Sequence, residues 1–108
     1  MLSIYRTENQ ELQELEQFQP GCWIHLSDPT EAELTRVEAM TGVLPEFLRA
    51  ALDEEERSRI ETDENQTLVL CDLPRVELEG KNYVYTTIPM GIVHLEDCLI
   101  TVCLIEPA

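Results

Sequence analysis

The sequence predicts an α/β protein in which helices pack over a mixed sheet. Apolar residues recur at helical spacing through residues 31–52, and apolar and polar residues alternate with a period of two from residue 57 onward. An apolar content of 44% in 108 residues is typical of a globular domain whose core needs no metal or disulfide. We therefore expect one domain over residues 1–108.

The N-terminal part is predicted to begin with strands on either side of a helical segment. Residues 1–7 alternate weakly and favour an opening strand. Residues 11–18 carry an apolar side chain at every third position, which favours a short helix or turn that ends at Pro20-Gly21. Residues 22–26 are rich in aromatic and β-branched side chains and predict a second strand.

A capping sequence then marks the start of a longer helix. Asp28 is predicted as the N-cap, with Pro29 at the first helical position and Glu31 reaching back to the Asp28 amide. We expect this helix to run to about Thr41 and to stop at Gly42.

A second, shorter helix is predicted to begin at Pro45. Its apolar side chains share one face, and these are Phe47, Leu48, Ala51 and Leu52. It is expected to end in the acidic run at residues 53–56, where four adjacent carboxylates repel each other and face water.

The C-terminal half predicts a meander of antiparallel strands. The expected strands are residues 57–61, 66–72, 83–95 (as two strands or one bent strand) and 98–105, with turns at 63–65, 79–82 and 96–97. Pro74 permits an edge strand or a bulge but not a regular central strand.

The charge of −15, from 22 acidic and 7 basic side chains, excludes whole classes of partner. It repels nucleic-acid phosphates and anionic lipid, whereas it concentrates cations near the surface. No apolar run approaches the ~20 residues that span a bilayer, and the first residues lack the pattern of a signal peptide. The chain is therefore expected to be soluble and intracellular.

Cysteine and histidine give no sign of catalysis or of zinc. The four cysteines form no Cys-x-x-Cys pair, so all are predicted to be reduced core thiols. His25 and His94 lie in predicted strands, where a partly buried, hydrogen-bonded role is usual. A hydrolase using either histidine is the least favoured hypothesis, because no nucleophile motif accompanies them. No catalytic, cofactor-binding or metal-ligating residue is assigned.

Two acidic groups are the only plausible ion sites in the sequence. They are residues 53–56 and the set Glu61, Asp63 and Glu64. Magnesium prefers carboxylate oxygen and keeps several waters, so one or two acids can suffice. A solvated acidic surface is favoured within one chain, and pairing of such acids between two chains stays open.

Five segments together resemble the N-terminal region of CorA-type magnesium/cobalt transporters. They occur in the family's order and are spread over residues 23–102, which is most of the chain: Trp-Ile-His-Leu-Ser-Asp-Pro-Thr-Glu at 23–31, Gly-Val-Leu-Pro at 42–45, the segment 51–61, Thr-Leu-Val-Leu at 67–70, and 92–102, which ends in Leu-Ile-Thr-Val.

The resemblance implies an α/β/α sandwich with a mixed, partly antiparallel sheet between helices. It also implies the cytosolic regulatory domain of a divalent-cation transporter, on the cytoplasmic side of the membrane, in a pentameric parent that senses Mg²⁺ through acids between subunits. The family's stalk, its two membrane helices and its Gly-Met-Asn signature are not in this sequence, so the pore is assigned to a longer parent.

This chain departs from the family at Arg49-Ala50, where members commonly carry an acidic pair. The resemblance still implies Mg²⁺ as a regulatory ion, but because this acidic pair is missing, no cofactor is assigned to these residues. The alternative hypothesis is a stand-alone acidic module that binds a protein partner through an exposed edge strand near Pro74 or Pro89.

Overall fold

The computed structural model describes residues 1–53 and 57–104. Its strands are β1 (Leu2–Glu8), β2 (Glu11–Leu15), β3 (Cys22–Ser27), β4 (Arg59–Asp63), β5 (Gln66–Glu79), β6 (Asn82–His94) and β7 (Cys98–Cys103). Its helices are α1 (Glu31–Thr41) and α2 (Pro45–Arg49), and α2 leads into a 3₁₀ turn at Ala50–Leu52.

The strands form one seven-stranded sheet in the order β2-β1-β3-β7-β6-β5-β4. Only β3 and β7 pair in parallel, and the other neighbours are antiparallel. The α/β class, the mixed sheet and the C-terminal meander are therefore confirmed, and β6 is one continuous strand. Residues 54–56 and 105–108, which include three of the predicted acids and the end of the last predicted strand, lie outside the described residues.

The predicted helix or turn over residues 11–18 is wrong, because β2 is a strand that forms a hairpin with β1. Asn9 and Gln10 both have positive φ (52° and 67°), so they close a two-residue turn that pairs Glu8 with Glu11. Leu12 is 57% exposed on this edge strand, so the three-residue spacing of apolar side chains does not mark a helix face.

The N-cap of α1 lies two residues later than predicted. Asp28 has φ 44°, and its N–H donates to the carbonyl of Cys103, so the chain is still leaving the sheet there. Thr30 is the N-cap: its Oγ1 accepts from the N–H of Glu33 at 3.2 Å, and Glu33 Oε1 accepts from the N–H of Thr30 at 3.0 Å. The predicted stop at Gly42 is confirmed, with φ 73°.

The core lies between the helices and one face of the sheet. Its largest fully buried side chains are Phe47, Ile24, Leu26, Leu34, Leu48, Leu68 and Ile100. The 3₁₀ turn packs so closely on β6 that a Cβ added at Gly91 would lie 3.1 Å from the Cβ of Ala51. Both helices and this turn contribute to the one core, and residues 1–53 and 57–104 place no helix on the opposite face.

A buried amide ties the loop between the helices to β5. Gln66 is 8% exposed; its Oε1 accepts from the N–H of Leu44 and its Nε2 donates to the carbonyl of Gly42, both at 2.9 Å. These bonds satisfy two backbone groups that the short loop leaves unpaired.

Strands β5 and β6 extend beyond the rest of the sheet as a two-stranded ribbon, residues 72–89. Pairing with β4 reaches only Leu70 of β5, and pairing with β7 reaches only Met90 of β6, whereas β5 and β6 stay paired to the turn at Gly80. Among residues 1–53 and 57–104, Pro74 therefore has a strand partner on one side only, which agrees with the edge position that its missing N–H permits.

Candidate functional site

The face of the sheet opposite the described helices carries a row of aromatic side chains at its centre. Tyr5 and Trp23 are register partners on β1 and β3, with ring centroids 5.0 Å apart, and the ring of His25 lies 5.8 Å from that of Trp23. Alternation along β3 produces this row, because Trp23 and His25 point away from the core that Ile24 and Leu26 enter.

Thr101 on β7 joins this aromatic row across the parallel strand pair. Its hydroxyl oxygen accepts from Trp23 Nε1 at 2.8 Å and lies 2.7 Å from His25 Nδ1. The hydroxyl is thus held between two side chains of the neighbouring strand, which makes it a cross-strand link rather than a free nucleophile. The predicted partly buried, hydrogen-bonded role is confirmed for His25, whereas His94 is exposed at the end of β6, contrary to expectation.

A shallow groove of about 420 Å³ runs along this face. Its lining is mostly apolar and aromatic: Tyr5, Trp23, His25, Cys71, Leu73, Met90, Ile92 and Thr101. Such a lining suits an apolar surface of a partner element better than a charged ligand.

None of the four cysteines forms a disulfide, so all four are reduced thiols, as predicted. Cys22, Cys98 and Cys103 are buried, but Cys71 is only partly buried because it lies on the groove side of β5, so the core prediction is wrong for it. Burial, assisted by the charge of Asp97, raises the pKa of the Cys98 thiol to about 12, which keeps it protonated at neutral pH.

The predicted acidic ion sites do not converge within the part of the chain that the structure describes. Glu61, Asp63 and Glu64 are exposed on β4 and its turn, and Glu61 pairs with Arg59 at 3.2 Å. Asp53 is exposed, and the three glutamates that follow it are outside the described residues. No group of three or more His, Cys, Asp or Glu side chains among residues 1–53 and 57–104 could hold a metal ion.

Arg49 places a fixed positive charge between two acids of α1. Its Nη1 donates to both carboxylate oxygens of Glu31 at 3.0 Å, and its Nη2 lies 3.3 Å from Glu38 Oε1. The contact with Glu38 is an ion pair without hydrogen-bond geometry. The hydrogen bond with Glu31 raises the pKa of Arg49 above its ordinary value. Where the resemblance expects an acidic pair, this chain therefore has a paired guanidinium and, at Ala50, a buried methyl group.

Comparison with known proteins decides the family. A family model described as "CorA-like Mg²⁺ transporter protein" matches residues 18–104. This chain belongs to that family. The resemblance seen in the sequence is thereby confirmed, and the family's description is that of a transporter rather than an enzyme. No curated protein sequence matches this chain significantly.

Solved structures share the fold of this CorA-like chain. The soluble domain of CorA from Methanocaldococcus jannaschii superposes with a TM-score of 0.78 at 24% identity, over 98% of this chain and 41% of that one. The complete CorA magnesium transporter from the same organism gives 0.72 at 22% identity, over 99% and 33%. The ZntB cytoplasmic domain from Vibrio parahaemolyticus gives 0.66 at 14% identity, over 96% and 43%.

The chain thus spans about two fifths of the soluble CorA domain and a third of the complete transporter. Within residues 1–53 and 57–104, no helix has the length and apolar character needed to cross a membrane.

The groove on the sheet face opposite the described helices is the feature that the sequence did not predict. Its signal was present, because β3 carries large side chains at both alternating sets of positions, a pattern that indicates a strand packed on both faces.

Proposed function

We propose that this chain is the cytosolic regulatory domain of a divalent-cation transporter whose pore lies in other parts of a longer parent. The observation that carries the proposal is the family match over residues 18–104, together with a fold that accounts for less than half of the soluble domain of CorA. Residues 1–108 form one domain in this proposal, and the transported ions are Mg²⁺ and Co²⁺.

The groove on the second face of the sheet supports this proposal. Aromatic and apolar side chains cluster there without a helix from residues 1–53 and 57–104 above them. A helical segment of the parent packed on the groove would complete an α/β/α sandwich and remove this apolar surface from water.

Regulation by magnesium is proposed as a property of the assembled parent, a pentamer with acids from neighbouring subunits facing each other. The charge of −15 supports this role, because such a surface raises the local concentration of divalent cations. The helix α2 does not support an ion site of its own, since Arg49 already neutralises the nearby carboxylates of Glu31 and Glu38.

The first experiment is to sequence the parent gene downstream of the Ala108 codon. A frame that continues into a charged helical stretch and two apolar spans of ~20 residues with Gly-Met-Asn supports the proposal. Co²⁺ uptake by vesicles that contain the parent, compared with a parent lacking residues 1–104, then tests the regulatory role. Uptake that responds to internal Mg²⁺ equally well in both proteins would contradict it.

A frame that stops after Ala108 would remove the transport role and leave the partner-binding module as the leading function. One observation favours that second candidate: Pro74 and Pro89 both lie in the ribbon, whose outer edges are not paired with any strand of the described residues.

A further inference from the structure

Two buried thiols lie side by side at one end of the sheet. Cys22 is the first residue of β3 and Cys98 is the first residue of β7, and the two are register partners in the parallel pair. Register partners on neighbouring strands point to the same face of a sheet, and here that face is the one that the helices cover. Cys22 is 2% exposed and Cys98 is 7% exposed. The two sulfurs therefore share one place at the edge of the core.

The loops that precede these two cysteines form part of the wall of an open cavity of about 450 Å³. The N–H of Gly21 donates to the carbonyl of Asp97 at 2.6 Å, so the residue before Cys22 is bonded to the residue before Cys98. This bond holds the two strands together at the level of the thiols. Both cysteines line the cavity, which gives a small ion a route from water to the sulfurs.

The spacing of the strands suits a metal ion between the two sulfurs better than a disulfide bond. Neighbouring strands lie about 4.8 Å apart, and the Cβ atoms of register partners have about the same separation. A disulfide needs Cβ atoms about 3.8 Å apart, so the strands would have to approach each other by about 1 Å. Thiolate–zinc bonds are about 2.3 Å long, so two sulfurs on opposite sides of an ion of this kind lie about 4.6 Å apart. Such an ion fits between strands that do not move.

The ligand set selects a soft ion that needs only two ligands. Zn²⁺ in structural sites takes four ligands, and within residues 1–53 and 57–104 no third His, Cys, Asp or Glu completes a group with these two cysteines. Mg²⁺ and Ca²⁺ prefer oxygen ligands. Cu(I) is soft, prefers sulfur, and forms linear complexes with two thiolates. We propose that Cys22 and Cys98 together bind one Cu(I) ion, and that each thiol releases its proton as its sulfur bonds the metal.

The surroundings attract a cation and then keep water away from it. Glu96 and Asp97 are exposed and line the same cavity, so they raise the concentration of cations at its mouth. On the inner side, both cysteines belong to the buried core cluster. An apolar shell of this kind limits the access of water to a bound metal.

Anaerobic titration of the full chain with Cu(I), in competition with the chelator bathocuproine disulfonate, tests the proposal. We expect one Cu(I) bound per chain. Cys22→Ala and Cys98→Ala should each raise the apparent dissociation constant by about 100-fold or more, because loss of a ligand weakens binding more than the 10–100-fold typical of a group that only orients a ligand. X-ray absorption by the metal in the wild-type chain should show two sulfur neighbours.

Cys71→Ala is the matched control. Cys71 is the most exposed of the four thiols and lies on the groove side of β5, so adventitious binding of Cu(I) would use it first. The substitution removes the same atom, and we expect the dissociation constant to stay within a factor of about two of the wild type. Circular dichroism checks that each variant is folded, and the X-ray absorption measurement needs no variant.

Three results would overturn the proposal. The first is a wild-type chain that does not take Cu(I) from the chelator in a 1:1 ratio. The second is weakening by Cys71→Ala that equals the weakening by Cys22→Ala, or a metal with one sulfur neighbour. The third is a disulfide between Cys22 and Cys98 after exposure to air, found by mass spectrometry, because it would show that the strands do approach each other. The proposal does not rest on transport, so ion uptake by the parent and Cu(I) binding by this chain test separate claims.

Discussion

Gly91 is the position where a single added side chain should most damage this fold. It lies in β6 beneath the 3₁₀ turn, where an added Cβ would meet the Cβ of Ala51 at 3.1 Å and the Cδ1 of Leu68 at 3.9 Å. The Ala51 methyl cannot rotate away, because a Cβ position is fixed by the backbone, and Ala51 itself is fully buried. Relief therefore requires the turn to move away from the sheet.

For Gly91→Val we expect a net loss of about 2 kcal/mol in the free energy of unfolding. Overpacking at a rigid contact costs about 3 kcal/mol, at the upper end of the usual range. Replacing glycine with a β-branched residue in a strand returns about 1 kcal/mol. The loss is large beside the 5–15 kcal/mol that is usual for a whole domain.

Urea unfolding followed by the fluorescence of Trp23, the only tryptophan, measures this loss. Thr86→Val is the control, because it makes a valine at an exposed position of the same strand and should change stability by less than about 0.5 kcal/mol. Adding Ala51→Gly to Gly91→Val should recover at least about 1 kcal/mol relative to additivity. A neutral Gly91→Val, or strictly additive substitutions, would refute the reasoning.

Three further predictions concern a buried amide, a capping carboxylate and magnesium. Gln66→Ala should lower the free energy of unfolding by about 2–3 kcal/mol, because it leaves two backbone groups of the helix–helix loop without partners; an exposed Gln13→Ala is the control in the same urea assay. The hydrogen bond from the Thr30 amide lowers the pKa of Glu33; desolvation opposes this shift and the N-terminal amine assists it. The Glu33 carboxylate therefore stabilises the fold fully at pH values above the pKa it has in the unfolded chain. This stabilisation is lost as the pH falls through the lower pKa of the folded state. The stability difference between wild type and Glu33→Gln should therefore shrink in acid, and a constant difference across acid urea titrations would contradict this. Millimolar Mg²⁺ should raise the melting temperature no more than NaCl of equal ionic strength, because Arg49 already occupies the space between the carboxylates of Glu31 and Glu38. A rise of many degrees beyond the NaCl control would contradict this prediction and show an ion site.

The parts of the fold predicted correctly are those in which local pattern and tertiary contacts agree. Residues 22–26 alternate side chains that enter the core with side chains on the groove face, so their strand was readable from the sequence. Gly42 stops α1 because a left-handed residue is needed there, and glycine adopts that conformation at no steric cost.

The wrong predictions arose where geometry beyond the local pattern decides the structure. Residues 11–18 have helical spacing, but the turn at Asn9-Gln10 returns the chain alongside β1, and pairing overrides spacing. Asp28 is a good capping residue by type, yet its bond to Cys103, 75 positions away, holds it in the sheet. A backbone contact between residues that far apart in sequence cannot be predicted from neighbouring residues alone.

The candidate sites, like the fold, were predictable only where the local sequence suffices. Sequence reasoning recognised that Arg49 breaks the family's acidic pattern, but the guanidinium's contacts with Glu31 and Glu38 required the packing of α2 on α1. The aromatic row likewise required the order of the strands, since Tyr5 and Thr101 are placed on either side of β3 only by the sheet.

The central position of β7, between β3 and β6, determines how the sheet resists force. Because β7 lies between β3 and β6, a pull on its carboxyl end is resisted by hydrogen bonds on both sides at once, with contacts such as His25–Thr101 joining residues 76 positions apart. An edge strand could be peeled away one bond at a time, whereas a central strand must shear many bonds together. Any tension or displacement applied at Cys103 would therefore be carried into the sheet as a whole, so the domain would respond as a rigid body.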